Sequence, residues 1–284
     1  MMTKKEKTIW DRLLDVPQWA VAIAAFIFLI IPVLRPLGLP VPVGAPAADY
    51  IKAIQEIPPG SNVLFFQEMS GSGWDEVKGG YTSTLKYLWS RKINVVIIAA
   101  LSDAAPPDQW GINYANPARF GVKYGENYVN LGYIPGEEVM VAALRDSIKA
   151  ATSVDYLGTP LGNIPLMQKV DSYKDVSAII VSFSSGTSMD KYVRQWYATH
   201  PEIPQLWMTA SGNEMSAVSY WVGKMAKGYL SGPTGCAAME GFIGEPGLAA
   251  KITDMKNLAS IPTLVLVVIG NIAYFGRKRS RRES

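Results

Sequence analysis

The chain has 284 residues, of which 49% are hydrophobic and 18% charged, and its formal net charge is +3 at pH 7. This composition excludes an intrinsically disordered chain and allows one large folded domain or two small ones. The single cysteine, Cys236, excludes an intrachain disulfide, so a folded domain must rely on its apolar core.

The first long apolar segment covers residues 16–35 and carries no charge as far as Leu34. About 20 such residues cross a bilayer core of roughly 30 Å, so a transmembrane helix is predicted. Basic residues precede it, which is typical of a cytoplasmic flank and assigns residues 1–15 to the cytoplasm. Residues 45–47 (APA) resemble a signal-peptide cleavage site but lie too far from the apolar segment, which favours an uncleaved anchor.

A second uncharged segment covers residues 257–276 and is also predicted to be a transmembrane helix. Residues 277–284 (RKRSRRES) follow it as a basic tail, predicted to be cytoplasmic. Both termini are then cytoplasmic, and residues 47–256 form an extracytoplasmic domain at the cell membrane. The tail is interpreted as a topology determinant attracted to anionic lipid, so the bilayer is a predicted partner and nucleic acid is not.

Residues 36–46 (PLGLPVPVGAP) are predicted to form an extended, semi-stiff stalk, because proline fixes φ and removes a backbone donor. Beyond it, amphipathic stretches alternate with short β-branched and aromatic runs. The predicted helices cover residues 47–57, 74–92, 135–151, 188–200 and 213–230, and the predicted strands cover residues 62–69, 93–101, 128–134, 177–185 and 204–211.

Strands with continuous apolar runs are typical of a parallel sheet that helices cover on both faces. Four or five such strands separated by helices predict an α/β domain with a doubly wound, mostly parallel, Rossmann-like sheet. Residues 102–128 are rich in Pro, Gly, Asn and aromatic residues and are predicted to be a long irregular excursion. Residues 236–244 are predicted to be a short segment leading back to the membrane.

Three predicted strands end in turns rich in Ser and Gly, and the carboxyl ends of parallel strands meet at one edge, where such folds bind ligands. Helix N-termini there carry free N–H groups that bind anions. The candidate ligand-binding residues are Ser70, Gly71, Ser72, Ser184, Ser185, Gly186, Ser211, Gly212 and Asn213.

The alternative interpretation is that these turns only cap their helices, with Ser72, Ser188 and Asn213 as the capping residues. Carboxylates in the predicted first turns would compete with an anionic ligand for the same N–H groups. Those carboxylates belong to Asp75, Glu76, Asp190 and Glu214. The sequence leaves both interpretations open.

No catalytic residue is assigned. A serine nucleophile needs a base within hydrogen-bond reach, and the only histidine, His200, ends the predicted helix 188–200. About twelve helical residues place it roughly 18 Å from the ligand edge. Cys236 lacks a histidine partner for the same reason, and no cofactor is predicted.

The stretch Glu68-Met69-Ser70-Gly71-Ser72 resembles the metal-coordinating Asp-x-Ser-x-Ser motif that ends the first strand of von Willebrand factor A domains. The resemblance implies a metal held by Glu68, Ser70 and Ser72. Glutamate stands in place of the motif's aspartate, and Ser184-Ser185-Gly186 stands where that family typically has an aspartate.

Residues 128–138 (YVNLGYIPGEE) and 232–242 (GPTGCAAMEGF) resemble uncharacterised bacterial and archaeal membrane proteins with one α/β domain between two spans. The resemblance implies the same architecture and names no activity. The expected function is that of a non-catalytic, doubly anchored subunit or scaffold with homo- or hetero-oligomeric membrane partners. The alternative is an extracytoplasmic sensor that binds a small molecule or anion at the carboxyl edge of the sheet.

Overall fold

Six parallel strands form one sheet in the order β3-β2-β1-β4-β5-β6. The structure is a computed structural model that describes residues 9–69 and 71–283. The strands are β1 (Asn62–Glu68), β2 (Asn94–Ala99), β3 (Tyr128–Tyr133), β4 (Ala178–Phe183), β5 (Gln205–Thr209) and β6 (Gly228–Ser231). The predicted doubly wound α/β fold is confirmed, with one more strand than the sequence indicated.

Eleven helices accompany the sheet in the described part of the chain. They are α1 (Ile9–Leu14), α2 (Gln18–Leu34), α3 (Ala45–Glu56), α4 (Gly71–Ser90), α5 (Ala105–Ala115), α6 (Glu137–Asp146), α7 (Ile148–Ala151), α8 (Gly186–Tyr192), α9 (Glu214–Val222), α10 (Gly232–Phe242) and α11 (Leu248–Glu283). The chain divides into two compact units, one covering Pro40–Ala250 and the other combining Met1–Leu39 with Lys251–Ser284.

The strands are buried on both faces because helices cover both sides of the sheet, and successive side chains of a strand point to opposite sides. Phe65 faces the core formed with α3, α4, α5 and α10, whereas Phe66 faces the core formed with α6, α7, α8 and α9. Phe65 lies beside Ile97 of β2 and Ile180 of β4 in the parallel register. This two-sided burial explains the uninterrupted apolar runs of the sequence.

The predicted irregular excursion at residues 102–128 contains the helix α5 and a 3-10 turn, Pro117–Phe120. Pro106 and Pro107 lie in the first turn of α5, where no intrahelical N–H bond is required. Gly111 faces α4 so closely that a Cβ there would lie 2.5 Å from the Tyr81 ring. The residues that suggested a loop are therefore those that let a short helix begin and pack closely.

The predicted helix at residues 213–230 is wrong in its second half. The helix α9 ends at Val222, Lys224 adopts a left-handed φ of 60°, and the chain then forms β6. A Cβ on Gly228 would lie 2.1 Å from the backbone nitrogen of Tyr50, so a glycine is needed where β6 meets α3. The segment predicted at residues 236–244 lies mostly within α10.

The unit that contains the chain ends includes the longest helix, α11, which spans 36 residues. Its part Leu248–Arg279 is, among the described residues, the one helix long and apolar enough to cross a membrane, and its most apolar stretch of 18 residues has a mean hydropathy of 2.0. The predicted span 257–276 lies within it. The other predicted span coincides with α2, an apolar helix of 17 residues.

Candidate functional site

The carboxyl edge of the sheet contains the point where the strand order reverses. From β1 the chain continues outward through β2 and β3 on one side, and through β4, β5 and β6 on the other. Open α/β sheets bind ligands in the crevice outside this switch point. The ends of β1 and β4, at Glu68 and Phe183, therefore define the candidate site.

The stretch after β1 is already helical where the sequence predicted a loop. Gly71 and Ser72 lie in the first turn of α4, which begins three residues before the predicted start at Trp74. Ser72 is therefore not an N-cap residue, and Asp75 lies beyond the first turn, where it pairs with Lys78. Ser70 lies outside the described residues.

The residues predicted after β4 do come together with one residue predicted after β5. Ser184, Ser185, Gly186 and Asn213 line one open cavity of about 530 Å³. The Asn213 side-chain amide donates a hydrogen bond of 2.8 Å to the Ser184 carbonyl oxygen, so it makes no side-chain cap on α9. Ser188 lies inside α8 rather than at its cap. The capping assignments of Ser72 and Ser188 are therefore wrong, whereas Asn213 does occupy the N-cap position of α9 but caps it with no side-chain bond.

The turn after β5 is bound to α4. The backbone N–H and the hydroxyl of Ser211 both donate to Oε2 of Glu76, at 2.8 and 2.6 Å. A carboxylate of the chain itself thus accepts the bonds that an anion would accept from this turn. Gly212 has no heavy atom within 4 Å of the position of a Cβ, so no close contact requires a glycine there.

The end of β1 carries a buried ion pair. The ammonium of Lys191, from α8, donates to Oε1 of Glu68 at 2.6 Å, and the two side chains are 10% and 3% exposed. The Ser184 N–H and hydroxyl donate to the Glu68 carbonyl oxygen at 3.0 and 3.1 Å, which joins the ends of β1 and β4.

A cavity of about 350 Å³ opens beside this ion pair. Its lining residues are Glu68, Leu101, Glu137, Glu138, Thr187, Ser188, Lys191 and Arg194. Glu68 is buried and Glu137 is exposed, so the first lies deep in the cavity and the second at its mouth.

An ion pair at the surface forms one wall of this cavity. It joins Glu138 of α6 to Arg194, which lies in the π-helical turn Val193–Tyr197 that follows α8. Arg194 donates from Nε and from a terminal nitrogen to the two carboxylate oxygens of Glu138, at 2.9 and 2.7 Å. Gln195 donates to the same carboxylate. These hydrogen bonds, that of Arg194 first, lower the pKa of Glu138 to about 2. Both charges on this wall are therefore neutralised by each other at neutral pH.

Two polar atoms buried behind the deep end of the cavity lack hydrogen-bond partners. In the described part of the chain, Oε2 of Glu68 and Nε2 of Gln67 are buried without a hydrogen-bond partner. Burial, and then the negative charge of Glu68, raise the pKa of the neighbouring Tyr192 hydroxyl well above its usual range. A buried polar atom without a partner costs free energy, so this region calls for a functional explanation.

Lys191 was not among the site residues predicted from the sequence. The available signal was the position of Glu68 at the end of an apolar strand, because a carboxylate buried there needs a cation or donor. Only the packing of α8 against β1 shows which cation supplies the charge, since Lys191 is 123 positions away in the chain.

The remaining chemistry-bearing residues lie elsewhere. His200 precedes β5 at the amino edge, stacks on Tyr173 with ring centroids 3.7 Å apart, and contacts Glu202. Cys236 is buried against α4, and burial raises the pKa of its thiol. Across residues 9–69 and 71–283, no three His, Cys, Asp or Glu side chains group to hold a metal, and Oε1 of Glu68 binds Lys191.

The chain matches no protein-family model, no curated protein and no solved structure. The function is therefore interpreted from the geometry of the chain alone.

Proposed function

We propose that this protein is a doubly membrane-anchored, non-catalytic α/β subunit or scaffold of a membrane assembly. Its two anchors are α2 and α11, both termini are cytoplasmic, and the domain of residues 47–256 is extracytoplasmic. The observation that carries the proposal is that the chain segments flanking the two terminal apolar helices contact each other at two levels, one at each end of α11's apolar part.

The first contact lies just after α2. The carboxylate of Asp254, which is fully buried, accepts hydrogen bonds from the backbone N–H groups of Leu37, Gly38 and Leu39 at 2.8, 3.0 and 3.1 Å. These residues begin the predicted stalk, so its start is bound to α11. The chain that leaves α2 and the chain that enters the apolar part of α11 are therefore side by side, as expected at one surface of a membrane.

The second contact lies towards the other end of α11, where it meets α1, the short helix that precedes α2. A Cβ on Gly276 of α11 would lie 2.6 Å from the indole ring of Trp10 in α1. The roughly 22 residues from Asp254 to Gly276 rise about 33 Å as a helix, close to the bilayer core of about 30 Å. Contacts at both levels support two antiparallel spans, with residues 10 and 276 on one side of the membrane.

The sequence around these spans supports the same orientation. Exposed apolar side chains between the two levels suit contact with lipid, for example Val265, Val268 and Ile272, which are 49%, 56% and 55% exposed. The basic tail after residue 276 favours the cytoplasm for the side that holds Trp10 and Gly276.

A non-catalytic role is supported by the carboxyl edge of the sheet. The strand-end groups are joined to one another by the contacts Glu68–Lys191, Glu76–Ser211 and Asn213–Ser184. The only histidine lies at the opposite edge. A rigid edge whose strand-end turns are bonded to one another suits a binding surface better than acid-base chemistry.

The orientation is tested with two reporter fusions. A reporter fused after Ser284 should be active only as a cytoplasmic protein. A reporter inserted at Gly158, an open turn without neighbours near its Cβ position, should be active only as an exported protein. The reverse pair of results would contradict the proposal.

The scaffold role is tested by native mass spectrometry of the tagged, full-length protein released from membranes in mild detergents. We expect a stoichiometric complex, either with a second protein or with further copies of the chain. A monomer in every detergent, from protein that still melts cooperatively, would contradict the subunit role.

A second candidate function is that of an extracytoplasmic sensor, and the cavity beside Glu68 is the observation that favours it. It lies at the switch point of the sheet, where the fold binds ligands, and charged and hydroxyl side chains line it. A panel of small molecules in a thermal-shift assay tests this function.

A further inference from the structure

We propose that two copies of this chain associate within the membrane through one face of α11, with the Asn271 side chain of each copy bonded to that of the other. This inference deepens the proposed scaffold role by naming its partner, and it rests on α11 spanning the membrane. It begins with the distribution of side chains around α11 between residues 257 and 276.

The side chains of this segment that carry hydrogen-bonding groups lie on one side of the helix. They belong to Asn257, Ser260, Thr263, Asn271 and Tyr274. Each residue of a helix turns by about 100°, so these positions fall within an arc of roughly 120°. All of them are exposed in the folded chain.

The opposite side of α11 is the side that the chain itself covers. Pro262 and Ala273 are buried there. Pro262 precedes Asn271 by nine residues, which places the two about 180° apart around the helix. Polar side chains of membrane helices face other helices or a water-filled cavity, because lipid offers no hydrogen bonds. The polar face of α11 points away from the covered side, which indicates a helix of another molecule.

Asn271 gives the depth and the chemistry of this contact. It lies five residues before Gly276, so it is about 8 Å inside the level at which Gly276 meets Trp10. One side-chain N–H donates to the Val267 carbonyl oxygen, one turn earlier, at 2.8 Å. The amide oxygen accepts no hydrogen bond from any described residue. An amide with unused groups in lipid costs free energy until a partner bonds to it.

The exposed positions around Asn271 have the spacing of a helix–helix seam. Leu264, Val267, Asn271 and Tyr274 follow one another at intervals of three, four and three residues, as the contact positions of paired helices do. Leu264 and Val267 are 63% and 55% exposed, so nothing in the chain itself covers this seam. An asparagine on such a seam fixes the register and the number of helices.

A second copy supplies matching groups at the same depth. Two copies of one membrane protein have the same orientation, so their α11 helices run parallel and like residues meet in a symmetric pair. An asparagine amide contains both donors and an acceptor. The Asn271 amides of two copies can therefore satisfy each other, as interhelical asparagine pairs do.

The first test is cysteine cross-linking of the full-length protein in its membrane. Val267→Cys lies on the seam, and mild copper-catalysed oxidation should link it into dimers. The matched control is Val265→Cys, because Val265 is similarly exposed, at 49% against 55%, but lies about 160° around the helix from Val267. The control should stay monomeric, as should the wild type, whose only cysteine, Cys236, is buried.

The second test changes the amide itself. In sedimentation equilibrium of the full-length protein in detergent micelles, Asn271→Leu should raise the dimer dissociation constant about tenfold, because two symmetric hydrogen bonds are lost. Leucine is apolar, so the variant still inserts into the membrane. Asn271→Gln is the matched control, since it keeps the amide, and its dissociation constant should stay within about threefold of the wild-type value.

Equal cross-linking at positions 265 and 267, or an Asn271→Leu protein that dimerises as tightly as the wild type, would overturn the inference. A single copy bound to a different protein in native mass spectrometry would also overturn it, but would retain the scaffold role. Release of the protein from membranes by alkaline carbonate would overturn both proposals, because α11 would then not be a span. Absence of cross-linking at position 267, in protein that resists carbonate, would overturn the second copy alone.

Discussion

The buried ion pair at the end of β1 provides the sharpest test of the site. The substitution Lys191→Met removes the ammonium that lies 2.6 Å from Glu68 and keeps a side chain of similar length. The Glu68 carboxylate, 3% exposed, would then lie in the protein interior without its cation. Breaking one partner of such a pair costs about 3–5 kcal/mol of unfolding free energy. For a domain of this size, that loss lowers the melting temperature by about 6–20 °C.

The double variant Glu68→Met with Lys191→Met separates this loss from a packing defect. Replacing both charges with apolar side chains of similar shape is often neutral or stabilising. We therefore expect the double variant to recover most of the stability that Lys191→Met loses, as measured by thermal and urea unfolding of the full-length protein.

The matched control is Lys78→Met, because Lys78 also lies 2.6 Å from its carboxylate, Asp75, but the two side chains are 25% and 71% exposed. It should change the unfolding free energy by less than about 1 kcal/mol. A loss of under 1 kcal/mol in Lys191→Met would refute the argument that its pair is desolvated. A double variant as unstable as the single one would show that the loss comes from packing.

Three further substitutions test other buried features. Glu240→Gln should cost about 3 kcal/mol, because Glu240 is 3% exposed and its two oxygens accept three backbone N–H bonds around the start of α11; a loss below 1 kcal/mol in urea unfolding would contradict this. Asp108→Asn should stabilise the protein by at least about 1 kcal/mol at pH 7 and by little near pH 4. Burial raises the pKa of Asp108, so the wild type loses stability as the pH rises above the unfolded-state pKa, and an equal effect at both pH values would refute the reasoning. Gly228→Ala should cost about 1–3 kcal/mol, because its Cβ would lie 2.1 Å from the Tyr50 nitrogen, whereas Gly212→Ala, with no neighbour within 4 Å, should be neutral in the same melting assay.

The central strands were predictable because burial on both faces leaves long apolar runs in the sequence. β1, β2 and β4 are buried along almost their whole length, and no polar interruption obscures them. β6 was not predicted because it has only four residues and follows an amphipathic helix without a proline. What ends that helix is the positive φ of Lys224, a conformation that the residue type does not reveal.

The site was predictable in part. The rule that parallel strands end at one edge predicts that the strand-end residues lie close together, and Ser184, Ser185, Gly186 and Asn213 do line one cavity. That they bind a ligand stays a prediction. The rule could not predict which donors were already bonded, because that depends on partners distant in the chain. Glu76 reaches Ser211 across 135 positions, and no local pattern encodes this contact.

The internal bonds of the sheet edge bear on both functional proposals. Glu76 accepts a hydrogen bond from the Ser211 turn, and Ser184 donates one to the end of β1. The backbone of this edge is therefore already ordered before a partner binds. Binding costs least when both surfaces are preorganised, which favours a rigid interface. The cavity beside Glu68 shares this rigid frame, so a ligand that entered it would also meet side chains that are already ordered.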